Sequence, residues 1–384
     1  MTTTLNNVGR QRVMCGEMNR RLCYISLESL RPATAANTHV RGVLQALQGL
    51  GWQTVLIAEV LQNSAPPGFF RQSLRYLFLQ IAAGFHLRKV DVVYVRQHFA
   101  TVLIVGLARL LRRPVVLELN GLPSDVLASH PWLHSISAPI HWCYRLQFKF
   151  AQKILVVTEG LATYVGAYTD PGKIIVVPNG ADADLFCARN QPRPPDVPDS
   201  RYVVLFGDFA IWHDVQLLID ATADPAWPDG VKVVLIGRGS REVNLLLSTA
   251  ASAHVKYLDW VEQDKLVAYV VHAMAGIIPI ATTGQRQSIG AIPLKFLEVL
   301  SCGRPAIVSD LPTLSDLTRR HNCGLVFAHD DANSLARAVS SLAADPVRAN
   351  DMGVNGRALV EATHNWKTIA AAISDILKRL IAPQ

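Results

Sequence analysis

The segment "PLKFLEVLSCGRP", residues 293–305, sets Lys295 and Glu298 three residues apart on a helical pattern that runs from Pro293 to Gly303. Proline suits a first helical turn and glycine a C-terminal stop. At this spacing the two side chains share a helix face, and one reading is a surface ion pair worth a few tenths of a kcal/mol. The other is chemical. A polar, glycine-containing loop, "TTGQRQSIGAI" (282–292), leads into the helix. Such a loop at a helix N-terminus suits phosphate, with a lysine as counter-charge. A glutamate one turn deeper accepts hydrogen bonds from ribose hydroxyls, as acidic residues do in nucleotide folds.

Two further stretches carry the same kind of chemistry. "FGDFAIWHD" (206–214) and "IGRGS" (236–240) each follow an apolar run and open on glycine. Glycine there lets backbone amides approach an anion. Neither is G-x-G-x-x-G or a Walker pattern, so nicotinamide and ATP motifs are not supported.

The elements that must position these residues come as two alternating series. Continuous β-branched runs at 21–27, 53–58, 91–96, 113–119, 153–158 and 173–178 read as strands buried on both faces, with helical patterns such as 38–51 between them. "NQPRPPDVPDS" (190–200) carries four prolines and reads as a linker. The alternation restarts at 202–207 and continues at 232–237, 254–260, 275–280, 304–310 and 324–328. The expected fold is α/β, with two Rossmann-like doubly wound domains facing a central cleft. The expected organisation is a disordered tail over 1–21, a first domain over 22–189, the linker, a second domain over 201–362 and a final helix over 363–384.

The chain's 384 residues exceed the usual limit of one hydrophobic core. Six scattered cysteines without a C-x-x-C indicate reduced thiols, and the polar first 21 residues lack the apolar run of a signal peptide, so a cytoplasmic protein is expected. "FATVLIVGLARLL" (99–111) meets Arg109 far short of the roughly 20 residues that span a bilayer. Residues 1–190 hold 19 Lys+Arg against 10 Asp+Glu, a net +9, and residues 191–384 hold 18 against 20, a net −2, which sum to the chain's +7. The basic half admits an anionic partner. Along 69–89, Phe70, Leu74, Leu77 and Ile81 share an apolar side flanked by Arg71 and Arg75, with Arg88 and Lys89 at the end. That is either a core-packed helix or one that docks on an anionic membrane, to which Arg109, Arg112 and Arg113 would add. A peripheral place on the inner face of the plasma membrane follows from the second. No nucleic-acid-binding motif accompanies the charge, so no nucleic-acid partner is expected.

"PLKFLEVLSCGRPAIVSD" closely resembles the "PLKxxEYMAxGxPVV" signature of the retaining glycosyltransferases of family 4, which have the GT-B fold. In family order, "THVRGVLQAL" looks like the first helix and "LELNGLPSD" (117–125) like a loop of the acceptor domain. "VPNGADADLF" (177–186) is similar to "IPNGVDxxxF", and "FGDFAIWHDVQLLIDA" (206–221) to "GSFxxWHGVxxLIxA". "THNWKTIA" (363–370) looks like the start of the last helix, which in this family packs back on the first domain.

The resemblance implies transfer of a sugar from a nucleotide-diphosphate-sugar donor to a glycan or lipid-linked acceptor, with retention and without a metal or other cofactor. Carried over residue by residue, Glu298 would hold the ribose, while Lys295 and His213 would lie near the diphosphate with Arg238 beside them. Val261 falls where the family's base-contacting backbone sits. Ala36 and Asn37, in "TAANT" (34–38), occupy a loop usually rich in glycine that touches the donor. Asn120 stands where many members have a histidine contacting the transferred sugar. Gly207, Gly290, Ala291 and Ile292 complete the implied donor set.

The sequence departs from the pattern at several of these positions. Gly290 stands where the family's Glu-x7-Glu motif has its first glutamate. Asp208 follows Gly207, where it is expected to turn away or to cap the next helix, and Asp214 replaces a glycine. These changes motivate a second reading, a non-catalytic nucleotide-sugar-binding protein on the same fold. The lack of an obvious carboxylate pair argues against a two-carboxylate glycosidase.

Overall fold

In a computed structural model, residues 20–32, 34–61, 69–129, 131–188, 191–209, 212–239, 254–281 and 289–382 are described. The tail over 1–19, most of the polar loop at 282–288, Ala210 and Ile211 of the Trp-His segment, and Ser240 lie outside the described residues. The chain divides into two units. One comprises Met1–Arg31, Val43–Val177 and Ala370–Gln384, the other Pro32–Gly42 and Pro178–Ile369.

The first unit is built on a wholly parallel sheet of β1 (Arg21–Ile25), β2 (Gln53–Ile57), β3 (Val92–Arg96), β4 (Val115–Leu119), β5 (Lys153–Val156) and β6 (Ile174–Val176). Their order is β2-β1-β3-β4-β5-β6. The chain steps outward from β1 to β2, then returns to the other side of β1 to begin β3, so the topological switch falls between β1 and β3. Crevices for ligands open at the carboxyl ends of strands at such a point. Helices α1 (Ala35–Gly49), α2 (Phe69–Leu87), α3 (Val102–Leu110), α4 (Pro123–Ser129), α5 (Ser137–Phe150) and α6 (Glu159–Gly166) make the crossovers. The strand interiors are mostly apolar because both faces are largely covered, with Arg96 at the end of β3 and Glu118 within β4 as charged exceptions.

The second unit repeats the plan with β7 (Arg201–Phe209), β8 (Val231–Gly239), β9 (Val255–Leu258), β10 (Ala275–Ile278), β11 (Ala306–Ser309) and β12 (Gly324–Phe327), ordered β12-β11-β10-β7-β8-β9. Its switch lies between β7 and β10. Helices α7 (Val215–Thr222), α8 (Gln263–Val271), α9 (Leu294–Ser301), α10 (Leu314–Arg320), α11 (Ala332–Ala344) and α12 (Pro346–Thr363) follow. One core joins Val204, Phe206 and Ile278 to Phe296, Leu297 and Leu300 of α9, and the opposite face of the sheet packs on α7 and α11.

Each of the twelve expected strands is present, trimmed or extended by at most two residues at either end. The division between the units falls at Val177–Pro178, ahead of the proline-rich stretch at 190–200. That stretch lies on the second unit: His272 Nε2 stands 2.8 Å from the Gln191 carbonyl, and the Arg193 guanidinium lies over the Tyr202 ring. The last helix, α13 (Trp366–Ile381), contributes its residues from Ala370 onward to the first unit. There the buried Trp52 indole donates to Ser374 Oγ at 2.9 Å.

Candidate active site

In the second unit, α9 begins after Pro293, whose extended ψ of 145 makes it the cap residue and not part of the first turn. Every residue of α9 is buried. Lys295 and Glu298 therefore do not form a surface pair: they are 8% and 7% exposed. Glu298 Oε1 accepts from Gln263 Nε2 of α8 at 3.3 Å. Lys295 Nζ is buried without a hydrogen-bond partner. Burial lowers the Lys295 ammonium to about 8, against the opposing pull of Glu298 and Asp208. Burial raises the Glu298 carboxyl to about 7, against Lys295 and the Gln263 hydrogen bond. A desolvated cation with no acceptor is an unmet demand for an anion.

Glycines make the room around it. Gly207 near the end of β7 has φ +96, and a Cβ there would stand 3.8 Å from Lys295 Nζ. Its register partner on β8, Gly237, has φ +149, and a Cβ on it would strike the Gly207 carbonyl at 2.0 Å. The next register pair sets Asp208 opposite Arg238. Asp208 is exposed and close enough to Lys295 to oppose the loss of its proton. The cap of α7 comes instead from Asp214, whose Oδ1 accepts from Leu217 N at 2.9 Å. Asp214 thus replaces glycine for a local reason, since aspartate is a strong N-cap.

His213 sits at the switch point. It forms an antiparallel bridge with Ile280, flanked by Asp214 N to Pro279 O and Ala281 N to Trp212 O, both at 3.0 Å. This short pairing ties the segment after β7 to the segment after β10. Arg238 reaches sideways: its Nε lies 3.1 Å from Asp259 Oδ1 and its guanidinium 5.5 Å from the Trp260 ring. Val261 follows, half-buried against the core just before α8. Gly290 has φ +69, and a Cβ on it would meet Thr313 Oγ1 at 2.4 Å, so that position has no room for a glutamate. After Ala291, the Ile292 carbonyl accepts from Asn179 Nδ2 at 2.9 Å, while Asn179 Oδ1 lies 3.2 Å from His39 Nδ1. Ala36 and Asn37 stand in the first turn of α1 and not in a loop, because Thr34 Oγ1 accepts from Asn37 N at 3.3 Å.

Asn120 belongs to the first unit, just past β4, and its surroundings were not expected. Glu118 of β4 is 4% exposed, and its carboxylate receives Tyr94 OH at 2.5 Å, Arg96 Nη1 at 3.1 Å and Asn120 Nδ2 at 2.6 Å. Arg96, the last residue of β3, also binds Glu28 Oε2 through Nε at 2.8 Å. Burial works against the Arg96 charge, but Glu28 and Glu118 overturn it and hold the guanidinium above its ordinary range. Burial likewise opposes ionisation of Glu28, yet Arg96 holds that carboxyl below its ordinary value. Tyr24 of β1 stacks on Tyr94 with centroids 4.9 Å apart. The ion-paired network thus lies at the β1/β3 switch. Its sequence signal is a charged residue at or near the carboxyl end of an apolar strand, Arg96 in "DVVYVR" and Glu118 in "RPVVLEL".

Taken by themselves, the second unit's residues offer an anion a buried ammonium beside glycine backbone, and offer hydroxyls a buried carboxylate one turn away. Two parallel doubly wound units are the architecture of the GT-B fold. Residues 36–185 match the family model described as Glycosyltransferase Family 4, and residues 200–345 match the one described as Glycosyl transferases group 1. The chain thus carries a family 4 glycosyltransferase domain followed by a group 1 glycosyltransferase domain.

A GDP-mannose-dependent alpha-(1-6)-phosphatidylinositol monomannoside mannosyltransferase of Mycobacterium tuberculosis is 30% identical over 155 residues, which cover 39% of this chain and 40% of that protein. An alpha-maltose-1-phosphate synthase of Mycolicibacterium smegmatis is 27% identical over 63% of this chain and 66% of its own length. Among solved structures, sucrose-phosphate synthase from Thermosynechococcus elongatus superposes with TM-score 0.75 at 19% identity, covering 94% of this chain and 99% of that one. HepE of Anabaena, solved in complex with UDP-glucose, superposes with TM-score 0.72 at 17% identity over 94% of this chain and 99% of its own. These two likenesses show the shared fold.

Proposed function

We propose that this chain transfers a sugar from a nucleotide-diphosphate-sugar to a lipid-linked or glycan acceptor, with retention at the anomeric carbon and without a resident metal. The observation that carries the reading is the buried Lys295 ammonium without a hydrogen-bond partner, one turn from a buried Glu298. A diphosphate supplies the missing negative charge, and ribose hydroxyls donate to Glu298. His213 and the amides near Gly207 complete the diphosphate contacts, and Asn120 contacts the transferred sugar.

In the reaction the bond from the anomeric carbon to the diphosphate oxygen breaks. A bond from the acceptor oxygen forms on the same face, and the acceptor's proton passes to the departing phosphate oxygen. No side-chain base is needed, so catalysis rests on positioning and on neutralising the leaving group. GDP-mannose is the first donor to test, because mannosyltransferases named for it are among the sequence relatives.

The lipid-linked acceptor is supported by the surface of the first unit. Phe78, Ile81 and Phe85 of α2 are exposed, Phe85 at 74%. On the neighbouring α3, Leu103, Leu107 and Leu110 are exposed as well, Leu110 at 78%. A Cβ added to Gly84 of α2 would lie 3.7 Å from Leu107 Cδ2. Arg88, Lys89, Arg109 and Arg112 are exposed at the ends of these helices. An apolar face with a basic rim suits an anionic bilayer at the inner face of a membrane. Arg75 is no part of that rim, for it turns inward to Glu59. Among the described residues no helix is long and apolar enough to cross a membrane.

Thermal shift with GDP-mannose and UDP-glucose tests donor binding. Nucleotide release with a lipid extract as acceptor tests transfer, NMR of the product tests retention, and added chelator tests metal independence. The second reading, a non-catalytic binder, is favoured by Gly290, where no carboxylate fits. It predicts a thermal shift with no nucleotide release.

A further inference from the structure

We propose that Glu118 is a positioning residue, which fixes the Asn120 amide with its oxygen turned outward to accept a hydrogen bond from a sugar hydroxyl. The inference rests on the transferase reading above and deepens it. Glu118 is buried, and its carboxylate collects three donors, from Tyr94, Arg96 and Asn120. With three donors converging on it, the carboxylate is the acceptor in each contact. Only the NH2 end of Asn120 can then stand 2.6 Å from Glu118 Oε1, since the flipped amide would set oxygen against oxygen. With the nitrogen committed, the planar amide presents Oδ1 away from the carboxylate.

Glu118 is itself held from the neighbouring strand. Tyr94 and Arg96 of β3 grip it, and Arg96 is gripped in turn by Glu28 beyond β1. The sequence Glu28–Arg96–Glu118–Asn120 therefore runs from the β1/β3 switch to the end of β4. Asn120 is left half-buried at the exposed end of that chain of contacts. A fixed carbonyl acceptor selects a hydroxyl over an apolar or acceptor-only group, so it reads a sugar ring. Ground-state amide rotation is suppressed before substrate arrives, which is how preorganisation lowers a barrier.

The test is the pH profile of Asn120→Asp, assayed as release of nucleotide to water from GDP-mannose and from UDP-glucose. Two carboxylates this close share one proton. The proton-sharing form donates an O–H to Glu118 and turns its carbonyl outward, as Asn120 does. Activity of Asn120→Asp should recover as pH falls, whereas the wild type should not gain. Recovery should vanish in the double variant with Glu118→Gln. Glu118→Gln alone should lower kcat about 10- to 100-fold with nucleotide Kd within about twofold of wild type. A purely structural Glu118 would not create the acid-side recovery, and a profile for Asn120→Asp parallel to wild type overturns the proposal even if Glu118→Gln does not fold. Asn120→Ala with full activity removes Asn120 from the site and this inference with it. An impaired Asn120→Ala alongside an unshifted Asn120→Asp sinks the positioning role alone. Release from neither donor defeats the transferase reading and the inference together.

Discussion

Gly237 approaches Gly207 so closely that a Cβ on Gly237 would lie 2.0 Å from the Gly207 carbonyl oxygen. At φ +149 the Gly237 backbone aims any side chain into its neighbouring strand, so that position admits only glycine. Gly237→Ala should destabilise the protein by about 1–3 kcal/mol through overpacking, read by urea unfolding. It should weaken nucleotide binding as well, because Gly207 borders Lys295. Gly230, at φ +73 with open space around it, is the control: Gly230→Ala should cost about 1 kcal/mol and leave binding intact.

Removing the buried cation separates stability from function. Lys295→Met keeps the stem and drops the desolvated charge, so its melting temperature should equal or exceed that of the wild type. Nucleotide-sugar affinity should fall at least about tenfold, by calorimetry. Glu298→Ala should weaken donor binding by about 1.5–3 kcal/mol, the scale of hydrogen bonds to a charged group. A Lys295→Met protein that binds donor normally would take the diphosphate away from this helix.

Protonation gives the unliganded protein an unusual pH response. Glu298 is raised from 4.5 to about 7, so between those values the folded chain holds a proton the unfolded one has lost, and stability falls as pH rises. Lys295 is lowered from 10.5 to about 8, so above pH 8 the unfolded chain holds the extra proton and stability climbs. Thermal melts across pH should show these residues' contribution at a minimum between about 7 and 8, flattened in Lys295→Met/Glu298→Gln. A diphosphate favours the charged lysine, so donor affinity should decline above pH 8, and Lys295→Arg should remove the decline.

The apolar face of α2 and α3 should bind vesicles of anionic lipid at low salt and release them as salt rises. Phe85→Asp/Leu110→Asp should abolish vesicle binding while leaving donor binding unchanged. Equal binding to zwitterionic vesicles, or none to anionic ones, would remove the membrane from the proposal.

The strands were readable because parallel strands covered on both faces leave continuous β-branched runs, and tertiary packing agrees with that local signal. Lys295 and Glu298 were readable as a pair, but their spacing alone allowed a surface bridge. Burial, which decides between the two, depends on α8 and β7 far away in sequence. Gly290 reads as a missing glutamate in the sequence. In the structure its positive φ and its contact with Thr313 explain why a side chain is excluded. Ala36 and Asn37 were expected in a loop from the family resemblance, whereas α1 already begins at Ala35 and Thr34 Oγ1 accepts from Asn37 N. The Glu28–Arg96–Glu118 network is not legible in the sequence, because its members lie 68 and 22 residues apart and meet only once β1, β3 and β4 are side by side.

The hydrogen bond from Trp52 to Ser374 joins positions 322 residues apart. A ribosome making this chain finishes all six strands of the first sheet long before it reaches that serine. Throughout the synthesis of the second unit, the indole at the start of β2 waits beside a surface whose cover has yet to be translated. Loss of the final helix, even by a late stop codon, should therefore leave a nearly full-length product with a bare apolar seam, a natural handle for chaperones and proteases.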